Sequence, residues 1–371
     1  MTHSVLLLQL ALAAAEGVTD GGRSGGEGSP EQVHLALGGG PAEMTAMWVT
    51  QPDAPSRPTA ANEATVEYWE AATGPGSRVS ARGSTDVFLV PVSWEANGGD
   101  FIRSNISRRL LTHNATMLGL KPRTRYGYRV GSNETGGWSS EFFFVSQPTL
   151  ASLREPGAMP VRVGWVGDMG DTNGRSFPQL EAEALTGSLD ALIHVGDIAY
   201  DLDTRADESL LRGAPPLDLV VDQGAPPTGN TGLDGGKGDQ YMRDFEPVAS
   251  SIPYMVCPGN HEFNFNHTAF THRFNGMPAP AANHTIPPEA GANVAGRRNN
   301  WWYSFNVGNA HFISLNSGVV IDPLVVTAAS RYRWDCEWWL PLISCLAQSS
   351  RIAPPPSPLP SPARARAPSH V

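Results

Sequence analysis

The sequence predicts two domains, an all-β sandwich followed by an α/β domain with mixed sheets flanked by helices. Residues 31–150 contain short alternating runs and no helical period, whereas residues 158–345 alternate apolar runs with helical segments. The chain of 371 residues is long enough for two such domains, and its 39 Gly and 32 Pro argue against an all-helical protein. Gly-Asp or Gly-Asn pairs also follow the buried runs of the second region.

The N-terminus has the pattern of a signal peptide, which we assign to residues 1–17, with an apolar tail as the alternative interpretation. Residues 18–30 are rich in Gly and Ser and are expected to form a linker. Five Asn-x-Ser/Thr triplets are candidate glycosylation sites: Asn105, Asn114, Asn133, Asn266 and Asn283. No segment reaches the ~20 apolar residues of a membrane-spanning helix. We therefore expect a secreted or vacuolar–lysosomal protein.

The first domain is predicted to be an antiparallel sandwich, with strands that include residues 33–37, 44–49, 65–69 and 126–130. The run from Leu120 to Tyr126 is similar to a corner of fibronectin type III-like domains. In that corner a Tyr hydroxyl bonds to the backbone at a strand end. No residue pattern here indicates chemistry, so we expect a scaffold.

The second domain is expected to contain a largely parallel sheet, because three apolar runs alternate with helical segments. The three predicted strands are residues 161–166, 191–195 and 252–257. Helices are predicted at residues 176–185 and 241–250, and two later strands at residues 301–305 and 310–315. An insert at 203–237 and a loop at 263–300 are expected to shape a pocket. Ligands of such sheets bind beyond the carboxyl ends of the strands.

Composition limits the partners of the protein. A formal net charge of -10 argues against a nucleic-acid-binding surface, which would carry a basic face. An acidic surface also repels phosphate esters, so a cationic centre such as a metal pair would have to bind them. Three cysteines exclude a disulfide framework. Cys257 is predicted to be a buried, inert thiol, and pairing of Cys336 with Cys345 stays open.

Three motifs at the strand ends carry the chemistry: Gly167-Asp168-Met169-Gly170, Gly196-Asp197-Ile198-Ala199-Tyr200 and Gly259-Asn260-His261-Glu262. The carboxylates of Asp168 and Asp197 follow adjacent strands and can converge on a hard cation. Two unneutralised carboxylates at close range would raise each other's pKa, which a metal pair resolves. Each Gly-Asp pair alone could be a turn with a helix N-cap. Three motifs at one edge favour a metal centre.

The remaining residues of these motifs have separate candidate roles. Tyr200 can ligate only a strongly acidic metal, because free tyrosine ionises near pH ~10. Asn260 offers an amide oxygen to a divalent ion, and His261 is a candidate general acid for a leaving alcohol. Glu262 is a candidate to orient His261 from behind the site. His194 lies within a buried run and is expected to be structural.

The order of the motifs resembles the first three of five blocks that mark purple acid phosphatases, which are metallophosphoesterases with an N-terminal fibronectin-like domain. The resemblance covers roughly residues 31–335. It implies that Asp168 and Tyr200 bind ferric iron, that Asp197 bridges two metals, and that Asn260 binds divalent Fe, Zn or Mn. A metal-bound hydroxide would then attack small-molecule phosphate monoesters, with His261 contacting the phosphate or protonating the leaving group.

The fourth and fifth blocks of that family, Val-x-x-His and Gly-His-x-His, supply three more histidine ligands and do not occur in this sequence. Residues 346–371 are rich in Pro, Ser, Ala and Arg and are expected to form a disordered tail. We therefore expect an incomplete, C-terminally truncated metallophosphoesterase domain at 158–345. A non-catalytic glycoprotein fragment is one alternative, and a phosphodiesterase or nucleotide pyrophosphatase on the same scaffold is another. The oligomeric state stays open.

Overall fold

The structure is a computed structural model whose described residues are 29–51, 64–91, 94–97, 100–103, 106–132, 137–170, 174–204, 235–262, 264–278, 299–316 and 346–347. Within them the chain forms a β-sandwich followed by an α/β region. Several predicted features lie outside these residues: the signal peptide at 1–17, most of the linker and of the tail, Asn105, Asn133, Asn283, Cys336 and Cys345.

The N-terminal region is built from short antiparallel strands. In chain order they are β1 (Glu31–Leu37), β2 (Met44–Thr50), β3 (Thr65–Glu70), β4 (Val79–Arg82), β5 (Ser84–Pro91), β6 (Trp94–Asn97), β7 (Asp100–Arg103), β8 (Ile106–Met117), β9 (Arg125–Ser132), β10 (Gly137–Trp138) and β11 (Phe142–Val145). One sheet has the order β1-β2-β8-β5 and the other β10-β9-β3-β4, with β11 on β9, while β6 and β7 form a hairpin.

Alternation along the strands builds the core of the sandwich. Strand β3 buries Val66 and Tyr68, which are separated by the less buried Glu67. These side chains share one apolar core with Phe88, Leu110 and other residues of the facing sheet. Apolar side chains recurring every second residue on both inner faces are what two packed sheets require, so the predicted sandwich is confirmed.

A tyrosine fixes the corner that leads into β9. The Lys121 backbone N–H donates to the Tyr126 hydroxyl at 2.9 Å, so the chain is tied back across five residues. The Tyr126 ring is buried and stacks on Phe144, with ring centroids 5.8 Å apart. This contact confirms the corner that the run ending at Tyr126 predicts.

The second region contains β12 (Val163–Val166), α1 (Phe177–Thr186), β13 (Ala191–Val195), α2 (Gly236–Asp244), α3 (Glu246–Ala249), β14 (Tyr254–Cys257), α4 (Asn264–Arg273), β15 (Tyr303–Val307), β16 (Ala310–Ser314) and β17 (Leu346–Ala347). Strands β12, β13 and β14 are parallel, and β15, β16 and β17 are antiparallel. These mixed sheets with flanking helices confirm the predicted fold class. Across the part of the chain that the structure describes, no helix has the length and apolar character to cross a membrane.

Two elements differ from the sequence prediction. Helix α4 lies in the segment that the sequence predicts to be a loop. Its residues, Asn264 to Arg273, are mostly poor helix formers, so their composition does not indicate a helix. Asn300, which is distant in sequence, stabilises the C-terminal end of this helix. Its Nδ2 donates to the carbonyl oxygens of Thr271 and Phe274, at 3.3 and 3.0 Å. Strand β17 lies in the segment expected to be a tail, where it pairs with β16.

Polar contacts join the two regions along one face of the sandwich. The Val33 N–H of β1 donates to Glu246 Oε2 at 2.7 Å. The Tyr128 hydroxyl donates to Ser250 O at 2.8 Å, and both groups are buried. Backbone groups buried at an interface need such partners, so these bonds fix how the second region sits on the sandwich.

Glu246 should make stability depend on pH. Burial raises the pKa of Glu246 to about 7 from 4.5, and the charge of Glu31 adds to it. The folded state therefore favours the protonated carboxyl, and stability is lost as pH rises from about 4.5 to 7. We expect the wild type to lose about 1–3 kcal/mol more than Glu246→Gln across that range. Urea unfolding at both ends of the range measures this difference.

The exposed carboxylate of Glu141 supplies a matched control, because Glu141→Gln should keep the pH slope of the wild type. Equal slopes for the wild type and Glu246→Gln would contradict the prediction.

Candidate functional site

The three motifs follow β12, β13 and β14 directly, so parallel strands bring them to one edge of the sheet. Backbone bonds join the turns there. The Asp168 N–H donates to Gly196 O at 3.2 Å, and the Gly196 N–H donates to Cys257 O at 3.1 Å. The structure therefore places the backbones of all three motifs side by side, as the sequence predicts.

The backbone of this edge is strained. Asp168, Asp197, Tyr200 and Asp201 have φ angles of 51°, 51°, 50° and 78°, in the left-handed region that side chains disfavour. Such conformations cost of order 1–3 kcal/mol each and persist where the surrounding structure enforces them, often at functional sites. A Cβ at Gly259 would lie 2.3 Å from Asp197 Oδ1, so only glycine fits between the second and third turns.

Acidic groups converge at this edge. The Tyr200 hydroxyl donates to Asp168 Oδ1 at 3.1 Å, and the His261 N–H donates to Asp197 Oδ1 at 3.1 Å. Burial raises the pKa of Asp197, and the charges of Asp168 and Asp201 add to this. Burial, followed by the charge of Asp168, also raises the pKa of Tyr200. The edge thus concentrates hard oxygen donors and negative charge, a donor set whose chemistry fits a hard cation.

His261 is held by an aspartate that the sequence interpretation missed. Its Nδ1 lies 3.0 Å from Asp201 Oδ1, and its ring meets Tyr200 edge-on with centroids 4.8 Å apart. Burial alone would lower the pKa of His261, but the bond to Asp201 and the nearby charges of Asp197 and Glu262 raise it overall. The sequence feature that could have identified Asp201 as a site residue is its position directly after Tyr200.

Glu262 has a different role from the one expected. Its buried carboxylate accepts three backbone N–H groups, those of Asp197 at 2.9 Å, Ile198 at 2.8 Å and Gly259 at 2.8 Å. Burial and the charge of Asp197 raise the pKa of Glu262 to about 7, although these N–H bonds oppose the rise. Glu262 therefore ties the second and third turns together, and Asp201 rather than Glu262 bonds to the ring of His261.

Asn260 begins the 3₁₀ turn Asn260–Glu262 and is exposed at the same edge. In the described ranges, no group of three or more His, Cys, Asp or Glu side chains is arranged to hold a metal ion. The converging donors are instead Asp168, Asp197 and the phenol of Tyr200. The metal-binding roles of these residues and of Asn260 stay predictions.

Two other residues lie in the core behind the site. His194 is fully buried, its Nδ1 pairs with the Tyr254 hydroxyl, and burial lowers its pKa to about 3. Burial raises the pKa of Cys257 to about 12, so this thiol stays protonated. Both residues are structural, as predicted. Asn114 is half-buried on β8 and Asn266 lies in α4, and their glycosylation stays a prediction.

Glu262→Gln should loosen the turns that carry the site. An amide has one acceptor oxygen, so its NH₂ group would face backbone N–H donors that now bond to a carboxylate. We expect the free energy of unfolding to fall by roughly 1–3 kcal/mol, measured in urea. The exposed Glu155→Gln is the control and should change it by less than about 0.5 kcal/mol. A Glu262→Gln protein as stable as the wild type would contradict this role.

The chain matches known proteins along most of its length. A family model described as "Purple acid Phosphatase, N-terminal domain" matches residues 30–146. "Acid phosphatase type 7" of Mus musculus is 31% identical over 291 residues, covering 78% of this chain and 49% of the relative. "Purple acid phosphatase 23" of Arabidopsis thaliana is 28% identical over 296 residues, covering 78% and 58%.

A solved structure of a purple acid phosphatase from yellow lupin seeds is also similar, with a TM-score of 0.49 and 18% identity over 83% of this chain and 50% of that one. The chain spans about half the length of the mouse relative. The family model and the relatives all indicate acid phosphatases. The matched regions include both the sandwich and the sheet edge that carries the three motifs. This chain belongs to the purple acid phosphatase family.

Proposed function

We propose that the protein is an acid phosphatase, a phosphoric monoester hydrolase acting on small-molecule phosphate esters at the sheet edge of Asp168, Asp197 and His261. The observation that supports this most is the convergence of Asp168, Asp197 and the Tyr200 hydroxyl beside a histidine held by its own carboxylate partner. The named phosphatase activity of the relatives agrees with it.

The donor set supports a cation pair at this edge. Asp197 has a raised pKa because burial and the charges of Asp168 and Asp201 disfavour its ionised form, and a bound cation would reverse that cost. We propose that Asp168 and Tyr200 would hold ferric iron, that Asn260 would hold divalent Fe, Zn or Mn, and that the Asp197 carboxylate would be shared by both ions. When bound, the two ions would neutralise phosphate charge and activate the attacking water.

His261 is proposed to hold the proton that the leaving alcohol needs. The Asp201 carboxylate accepts a hydrogen bond from Nδ1–H, which leaves Nε2 as the ring atom available to a substrate. The raised pKa of His261 favours the imidazolium at mildly acid pH, so the ring can contact the phosphate or donate a proton. Asp201 acts as a positioning residue, since it fixes the tautomer and orientation of that ring.

We also propose entry into the secretory pathway, with glycosylation at the Asn-x-Ser/Thr triplets. Support comes from the apolar N-terminal pattern and from the number of triplets in the sequence. Asn114, one of these triplet residues, is a half-buried residue of β8.

Hydrolysis of a chromogenic phosphate monoester by the full chain, loaded with ferric and divalent ions at mildly acid pH, tests the proposal. We expect His261→Asn to lower kcat about 10²–10⁴-fold and Asp201→Asn to lower it about 10-fold or more. The matched control is His311→Asn, because His311 bonds to Asn306 on the β15–β16 hairpin, and kcat should be unchanged.

Wild-type turnover no greater than that of His261→Asn would contradict the proposal and leave a non-catalytic glycoprotein. Faster hydrolysis of a phosphodiester than of the monoester would reassign the substrate class.

A further inference from the structure

A buried glutamine of the sandwich reaches into the second region. Gln32 lies at the irregular start of β1, with φ of 59°, and its side chain is buried. Its Oε1 accepts from Arg273 Nη1 at 2.8 Å, and its Nε2 donates to Asp239 Oδ1 at 3.1 Å. Both ends of one amide thus bond to an oppositely charged pair, which is why neither a carboxylate nor an ammonium group would serve there.

Arg273 and Asp239 form a buried ion pair. Their side chains are 1% and 2% exposed, with Arg273 Nη2 2.8 Å from Asp239 Oδ1. Nη2 also donates to Gly235 O at 3.1 Å, and the guanidinium lies over the Phe88 ring of the sandwich at 5.8 Å. A buried pair keeps its geometry only when further hydrogen bonds satisfy the charges, and Gln32 supplies one to each partner.

The same pair holds the segment that carries Asp201. The Gly235 N–H donates to Asp203 O at 2.9 Å, and the Lys237 N–H donates to Thr204 O at 2.9 Å. The Thr204 N–H then donates to Asp201 O at 3.1 Å. Helix α2 packs closely against this segment, since a Cβ at Gly238 would lie 2.6 Å from Leu202 O.

We propose that Gln32 is a positioning residue for the site. It fixes Arg273 and Asp239, which fix Gly235 and residues 201–204, so that Asp201 stays in bonding distance of His261. The sandwich then contributes a residue that positions the site, and is not only a separate scaffold. The effect on turnover rests on the proposed function, whereas the ordering of residues 201–204 does not.

Amide hydrogen exchange on the full chain tests the ordering step directly. Gln32→Ala and Gln32→Met, which keeps most of the side-chain volume, should both speed exchange at Thr204, Gly235 and Lys237 by ~10-fold or more, because both hydrogen bonds of the Gln32 amide to the ion pair are lost. The His261 N–H should respond too, because the ring of His261 is bonded to Asp201, whose position the proposal makes dependent on Gln32.

Gln147→Ala is the matched control. Gln147 is also a buried glutamine of the sandwich side, and its Nε2 donates to Asp190 O at 2.6 Å, before β13 and away from the segment of Asp201. It should leave exchange at Thr204, Gly235 and Lys237 unchanged. Equal acceleration by both substitutions, or uniform acceleration along the chain, would show only general loss of interface stability and overturn the proposal.

A kinetic measurement adds a second readout. Gln32→Met should lower kcat about 3–30-fold with little change in KM, because misplacing a catalytic group affects the transition state more than substrate binding. Gln147→Ala should keep both constants. If the wild type shows no turnover, the proposed function fails while the exchange pattern still decides the positioning role. Normal kcat in Gln32→Met alongside faster local exchange would also overturn the positioning role.

Discussion

The rest of the site depends on one carboxylate, that of Glu262, bonded to backbone N–H groups of two different turns. Parallel strands bring the turns to the same edge, but strand pairing ends before the motifs begin. Glu262 holds Asp197 and Gly259 at a separation that only glycine permits. Asp168 and Asp197 adopt left-handed conformations at this edge, and such strain persists where the surrounding structure enforces it.

The electrostatics of the edge follow from that packing. Asp168, Asp197 and Asp201 are brought together although their charges repel, and burial makes the ionised form of Asp197 less favourable still. The His261 Nδ1 lies 3.0 Å from Asp201 Oδ1, and against the effect of burial this contact raises the pKa of His261. An arrangement that costs free energy without a cation is one that a cation stabilises on binding. The strain at this edge and the proposed cation site therefore arise from the same packing.

The sequence predicts the elements whose signal is local. Buried runs ending in Gly-Asp give the strands and their edge, and the run ending at Tyr126 gives the corner. Contacts between distant residues were not predictable. Asp201 reaches His261 only through its own left-handed turn, α4 is completed by Asn300, and Gln32 meets Arg273 across 241 residues. Hydrophobic period and turn composition carry no information about such pairs.

The most direct test of the proposed cation site at this edge is titration of the metal-free protein with ferric iron. A phenolate bound to ferric iron absorbs visible light, so the band reports the ligand and not the activity. We expect an absorption band that reaches full intensity at one ferric ion per chain. The band should disappear in Tyr200→Phe and weaken in Asp168→Asn, while Tyr68→Phe, a substitution within the sandwich, should keep it. No band in the wild type, or a band that survives Tyr200→Phe, would contradict the proposal that these side chains hold iron together.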